Sequence, residues 1–289
     1  MRTKGETRAG SGVGSLDNPA VKLFALLAAG LVVGLLLVAA RSRSWFVYRP
    51  GPLSEAQYGA LTQRTGWRAE PITVAPGVEL RGLVRRPRDA DAPWLLLLPG
   101  NGEDVLRGGQ ALLEGLAGDQ DLGLAVWTYR GFDGAPGAPG LRAFEADTIL
   151  QHRHLVDRLG AQQIHLVSFS LGTALALRIA ALLTTEGKPP AKLALLSAYD
   201  AIDVRKPAWY GRLAPADHYD AEAWAKVGAT PVLLVHGAND EAIPIAAARR
   251  LAATLGTRAR LIELPGRGHA DWISDATALE PIRTFLLAP

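Results

Sequence analysis

His165–Leu177 reads H-L-V-S-F-S-L-G-T-A-L-A-L: a buried strand, a sharp turn and a helix of small residues in immediate succession. Its centre, Ser168-Phe169-Ser170-Leu171-Gly172, is one residue away from the pattern G-x-S-x-G, with Ser168 in place of the first glycine. In that pattern the strand stops abruptly and the central serine sits on a tight turn. Its hydroxyl is thereby lifted above the sheet, beside the first N–H groups of the next helix. Ser170 is the candidate nucleophile. A serine hydroxyl is a poor nucleophile alone, so it needs a base, an acid to orient that base, and donors for an oxyanion.

Outward from this stretch, apolar runs recur at Trp94–Leu98, Leu124–Trp127, Ile164–Val167, Leu193–Leu196, Pro231–Val235 and Leu261–Leu264. Continuous apolar runs suit strands covered on both faces. Helical patterns lie between them, near 104–117, 143–159, 171–185 and 244–255, with a last helix near 275–287. The alternation predicts a mostly parallel central sheet with right-handed crossovers and helices on both faces. Upstream, Ile72–Ala75 and Val78–Arg85 flank Pro76-Gly77 and read as a hairpin at an antiparallel edge.

Sheets of this kind carry their chemistry at the carboxyl ends of the strands. The first parallel strand runs into Pro99-Gly100-Asn101-Gly102, a glycine-bearing loop able to turn N–H groups toward a reacting oxygen. The N–H groups of Asn101 and Leu171 are the candidate oxyanion hole; the alternative is an ordinary strand-to-helix turn with Asp104 capping the helix. The next strand ends at Tyr129-Arg130-Gly131-Phe132, where Arg130 is assigned to holding the loop rather than a substrate. Of the six histidines, His269 sits in a glycine loop after the last strand and is the candidate base; His236 reads as structural. Asp240, just past a strand end, is the candidate acid, with Asp200 as its rival. Glu241 and Asp271 are expected as solvated neighbours. The order Ser170, Asp240, His269 is the serine–acid–histidine order of one hydrolase type.

The composition narrows the remaining possibilities. At 289 residues, 48% hydrophobic and 20% charged, the chain is long enough for one large domain with an appendage. A net charge of +3 with scattered arginines does not point to nucleic acid. The absence of cysteine excludes a thiolate metal site, a disulfide framework and a cysteine nucleophile. No metal and no cofactor is expected.

Residues 1–20 are polar and read as a flexible tail. Leu23 to Ala40 then carries no charge, and at about 1.5 Å per residue it reaches roughly 27 Å, close to a bilayer core. It is read as an uncleaved anchor (21–40) rather than a cleaved signal peptide or a core helix, with Trp45, Phe46 and Tyr48 as interfacial aromatics. Basic residues flank it almost evenly; by default the tail lies in the cytoplasm and the large domain outside. Residues 41–69 read as a linker, and 70–289 as the enzyme domain, with a small cap at about 199–229. Trp209, Tyr210, Leu213, Tyr219 and Trp224 in that cap are candidates for lining an acyl pocket, or for ordinary packing.

Taken together these segments resemble the α/β-hydrolase fold from about residue 70 to the end, and especially the single-anchor membrane hydrolases of the abhydrolase-domain type. The residues carrying the resemblance are Pro99-Gly100-Asn101, Tyr129-Arg130-Gly131-Phe132, Ser168 to Gly172, His236 to Pro244, and Gly268-His269. Pro99 and Ser168 depart from the usual histidine and glycine. The resemblance implies a serine hydrolase that cleaves an ester or thioester through an acyl-enzyme, acting on a small-molecule or lipid-like acyl substrate. A silent membrane-tethered scaffold and a serine peptidase are the alternatives.

Overall fold

The computed structural model describes residues 19–41, 45–102, 104–205 and 216–288. The chain falls into two units, Met1–Arg43 and Ser44–Pro289. In the first, α1 (Pro19–Arg41) is a helix whose apolar side chains Leu23, Phe24, Leu26 and Leu31 are exposed. Side chains along it are described only as far as Val32, so for the second half of the uncharged run only the helical backbone is described. Among those described, no helix is long and apolar enough to cross a membrane.

The second unit opens with β1 (Trp45–Val47), α2 (Glu55–Thr62), β2 (Trp67–Ala69), β3 (Ile72–Ala75), β4 (Val78–Leu80) and β5 (Gly82–Arg85). Alternation follows: β6 (Trp94–Leu98), α3 (Val105–Ala117), β7 (Gly123–Trp127), α4 (Leu141–Leu159), β8 (Ile164–Phe169), α5 (Leu171–Thr185) and β9 (Lys192–Leu196). After β10 (Ala201–Arg205), β11 (Asp217–Asp220) and α6 (Ala221–Ala225), the chain closes with β12 (Val232–Gly237), α7 (Ile245–Leu255), β13 (Ala259–Leu264) and α8 (Ala276–Leu287).

The eight-stranded sheet has the order β13-β12-β9-β8-β6-β7-β5-β2. Every pairing from β13 to β7 is parallel, while β5 and β2 close the far edge in antiparallel fashion. Alternate residues of each strand enter different cores, which is why the runs are apolar throughout. Leu96 and Leu98 pack with residues of α4, α5 and α7, whereas Leu95 and Leu97 pack with residues of α3 and α8. The helices therefore cover both faces, as the alternation predicts.

Three expectations change. The hairpin after Pro76-Gly77 stops at Leu80, and β5 joins the main sheet instead. The break falls at Arg81, and Gly82, which opens β5, has no room for a side chain: a Cβ there would lie 2.1 Å from Trp127 Nε1 and 2.4 Å from Glu70 O. Within the segment expected as a linker (41–69), residues 45–69 belong to the fold: β1 pairs with β10, β2 with β5, and Tyr48 is buried in the main core. An interfacial role for Tyr48 gives way to this packing, since its ring and hydroxyl both find partners inside the second unit. Finally, the segment expected as a cap is built on a three-stranded sheet, β1-β10-β11. Its Tyr219 and Trp224 pack on each other, with ring centroids 6.3 Å apart. Trp209, Tyr210 and Leu213 lie outside the described residues.

Candidate active site

Strand β8 ends in the left-handed region: Ser170 has φ 49° and ψ −114°, and α5 begins at the next residue. The turn works only because the neighbours are small or recessed. A Cβ at Gly172 would sit 2.1 Å from Leu98 O, and one at Gly100 would sit 2.8 Å from the Phe169 ring and 3.4 Å from Ser170 Cβ. Ser168, the residue in place of glycine, is fully buried and donates its hydroxyl to Ala194 O at 3.1 Å on β9. Its extra atoms are thus satisfied and do not crowd the turn.

A positive φ recurs in the segments that follow the neighbouring strands, at Asp104 (φ 58°), Asp133 (φ 48°) and Ser197 (φ 53°). Such conformations cost roughly 1–3 kcal/mol each and gather where a site is being shaped. The alternative reading of this loop, a side-chain cap from Asp104, is not what forms: Asp104 stands at the N-cap position of α3 but makes no side-chain cap hydrogen bond. Its carboxylate lies 3.5 Å from the Arg107 guanidinium, one turn into the helix. Asp133, carried in from the loop after β7, accepts the Leu106 N–H at 2.8 Å instead. Burial raises the Asp133 pKa, against the pull of the backbone N–H groups of Leu106 and Val105.

Ser170, His269 and Asp240 are brought together. His269 Nε2 lies 3.0 Å from Ser170 Oγ, and His269 Nδ1 lies 2.7 Å from Asp240 Oδ2. The carboxylate makes Nδ1 the protonated nitrogen, which leaves the Nε2 lone pair to accept from the serine hydroxyl. Asp240 Oδ1 accepts the N–H groups of Ala242 at 2.9 Å and Ile243 at 2.7 Å. His236 Nε2 stands 3.2 Å from Asp240 Oδ2 and 2.8 Å from Ile243 O, two acceptors that require a proton there. Burial would raise the Asp240 pKa, but hydrogen bonds from His236, His269 and the Ile243 N–H outweigh it and hold the carboxyl well below the usual range.

The loop bearing His269 is fastened at several points. The His269 carbonyl accepts from Ser197 Oγ at 2.7 Å, and the Gly268 N–H donates to the Asp271 carboxylate at 3.0 Å. Asp271 is therefore more than a solvated neighbour. The Phe169 ring flanks the imidazole, with centroids 5.1 Å apart. Asp200, the rival acid, is engaged by Arg250 at 2.6 Å, and Arg130 by Asp147 at 2.6 and 2.7 Å. Arg130 thus holds its loop through a carboxylate on α4 rather than through backbone carbonyls.

The other histidines stand elsewhere: His218 bonds Asp203 and His154 bonds Glu70. His165 is buried in β8, where burial and then the Lys192 charge push it down to about 4. Ser197 escapes sequence reasoning, since a serine after a strand carries no motif. Among the described residues no group of three or more His, Asp or Glu side chains could hold a metal ion.

A pocket of about 210 Å³ opens beside Ser170 and His269. Leu97, Val105, Leu112, Phe169 and Ile273 give it an apolar floor, with the Pro99–Gly102 loop along one side and Asp104 at its edge. Tyr219 and Trp224 are not among its lining residues. Of the two residues expected to hold the oxyanion, Leu171 follows the serine directly at the start of α5, and Asn101 lines the same pocket as Ser170.

A mostly parallel eight-stranded sheet with helices on both faces and a serine on a strand-to-helix elbow is the α/β-hydrolase fold, and the chain has it. A family model described as "TAP-like protein" matches residues 209–289. The chain is 28% identical over 280 residues to "Uncharacterized protein Rv2307c" of Mycobacterium tuberculosis, covering 93% of this chain and 94% of that one. Among solved structures it is similar to Est1E from Butyrivibrio proteoclasticus with ferulic acid bound (18% identity, TM-score 0.61, 76% of this chain and 98% of that one). It is also similar to the Pyrococcus furiosus esterase Pf2001 (15% identity, TM-score 0.60, 82% and 98%). XC6422 from Xanthomonas campestris, described as a serine hydrolase without lid, aligns at 18% identity and TM-score 0.56 over 83% of this chain and all of that one.

Proposed function

We propose that the protein is a serine hydrolase that cleaves carboxylic esters or thioesters of short to medium acyl groups through an acyl-enzyme on Ser170. The reading rests above all on the hydrogen-bond relay from Ser170 through His269 to Asp240, at 3.0 and 2.7 Å. His269 Nε2 takes the hydroxyl proton as Ser170 Oγ attacks the carbonyl carbon. Asp240 stabilises the resulting imidazolium, and the N–H groups of Leu171 and Asn101 receive the oxyanion. Collapse of the tetrahedral species expels the alcohol or thiol, which takes the proton from His269. Water, deprotonated by the same imidazole, then releases the acid and restores the serine.

The pocket argues for the size of the acyl group. Its 210 Å³ exceeds the roughly 150 Å³ of an apolar cavity that takes benzene, so a chain or ring of about six to eight carbons fits. The ferulic acid complex of Est1E makes hydroxycinnamoyl esters a natural part of the substrate panel. The uncharged run Leu23–Ala40 supports a tether that holds this unit at a membrane, by default on its extracytoplasmic side. An aminopeptidase is the second reading, favoured by the Asp104 carboxylate at the pocket edge, where a substrate amine could be received.

Fluorophosphonate labelling of the detergent-purified full chain, with p-nitrophenyl esters from acetate to decanoate and aminoacyl amides beside them, tests these readings. Labelling and ester turnover should both vanish in Ser170→Ala. Full activity in that variant refutes the mechanism, and turnover confined to aminoacyl amides selects the peptidase.

A further inference from the structure

The oxyanion loop is tied to a segment far from it in sequence. Asn101 Oδ1 accepts the Arg49 N–H at 3.0 Å, and Asn101 Nδ2 donates to Val47 O at 2.7 Å. One side-chain amide thus pairs with the backbone of the Trp45–Arg49 strap as a neighbouring strand would. A donor on one side and an acceptor on the other leave only one orientation for the amide.

The strap is itself a fixed point. Tyr48, between the two tied residues, is 1% exposed; its hydroxyl donates to Asp217 Oδ2 at 2.7 Å and meets the Tyr219 hydroxyl at 2.8 Å. Its ring meets Phe144 edge-on at 5.5 Å, and Phe144 stacks on Tyr129 at 4.4 Å. Tyr129 then donates its hydroxyl to Pro99 O at 2.9 Å. One aromatic block therefore grips both ends of Pro99-Gly100-Asn101: Pro99 directly, and Asn101 by way of the strap.

We propose that the Asn101 side chain is a positioning residue for the oxyanion hole, clamping the loop that bears the Asn101 N–H to the Val47–Arg49 backbone. The inference rests on the serine-hydrolase reading above. The physical need is plain, because a glycine-flanked loop is free to rotate its N–H groups, and a misplacement of about 1 Å can cost roughly a hundredfold in rate. The backbone donor survives replacement of the side chain by alanine, so that substitution removes the tie and keeps the N–H.

Asn101→Ala, Arg49→Pro (which removes the strap's N–H) and the double variant are to be compared with the full chain. The measurements are kcat, KM, fluorophosphonate labelling rate, and amide exchange of Gly100–Gly102. Asn101→Ala should lower kcat about ten- to hundredfold, leave KM within about threefold, and speed exchange in the loop. The double variant should be no more than about twofold worse than Asn101→Ala alone, since Arg49→Pro removes one of the two hydrogen bonds that Asn101→Ala already removes. A kcat within twofold of the parent, unchanged loop exchange, or losses that multiply in the double variant would each overturn the clamp. If the parent neither turns over an ester nor labels, the serine-hydrolase reading falls and this one with it. An active parent indifferent to Asn101→Ala removes the clamp alone.

Discussion

Asp240 shows how much one carboxylate can be asked to do. Its two oxygens accept from two backbone N–H groups, from His236 and from His269, and this set keeps it ionised despite burial. A group whose folded pKa lies below its unfolded value of about 3.9 adds stability that is fully present above that value and is lost as the pH falls through the folded one. Asp240→Asn should therefore melt lower than the parent at neutral pH, with the gap closing below about pH 4; scanning calorimetry from pH 7 to 3 reads this directly. A gap that widens in acid would contradict the assignment. In the same variant kcat should fall about 10³- to 10⁴-fold, because Nδ1–H loses the partner that fixes the tautomer. Choosing Asp240 over Asp200 was possible from the motif His236 to Pro244. The engagement of Asp200 by Arg250 was not, because Arg250 lies on α7 and nothing local to Asp200 announces it.

Helix α3 does two jobs that its own sequence only half reveals. Its buried face is plain from Leu106, Leu112, Leu113 and Leu116. Its start is not, since the local candidate for a cap, Asp104, makes no side-chain cap bond and the true cap is Asp133 from another loop. Asp133→Ala should lower stability by about 1–3 kcal/mol through the orphaned Leu106 N–H, measurable by urea denaturation; an unchanged midpoint would refute the cap. The same helix carries Gly108, which lines the pocket and where an added Cβ meets no atom within 4 Å. Gly108→Leu should fill part of the pocket, lowering kcat/KM for octanoyl against acetyl esters by about tenfold. It should also stabilise the helix by about 0.8–1 kcal/mol. Activity lost for long chains while stability rises is a pairing that simple damage to the fold does not produce.

The division of the chain after Arg43 gives the whole molecule a clear test. A chain beginning at Ser44 retains β1, Tyr48 and the Asn101 tie, so it should fold, turn over esters within about twofold of the full chain, and need no detergent. The full chain should stay with membranes through carbonate extraction. A chain beginning at Gly51 would lack the strap, so retention of full activity there would count against the role given to it.

By itself the sequence determined what periodicity and short motifs can encode. The apolar runs specify strands covered on both faces, the spacing between them specifies crossover helices, and the order Ser170, Asp240, His269 marks the candidate site. These signals are local, because burial on two faces and the turn at Gly172 leave their mark on adjacent residues. Only the tertiary structure decided that Trp45–Arg49 belongs to the folded unit, that Asp133 caps α3, that Ser197 braces the His269 loop, and that Asn101 reaches back to Val47 and Arg49. Each of these is a hydrogen bond or strand pairing between segments distant in the chain. The groups involved are backbone N–H and C=O, or common polar side chains, which look the same in sequence whatever they meet in space.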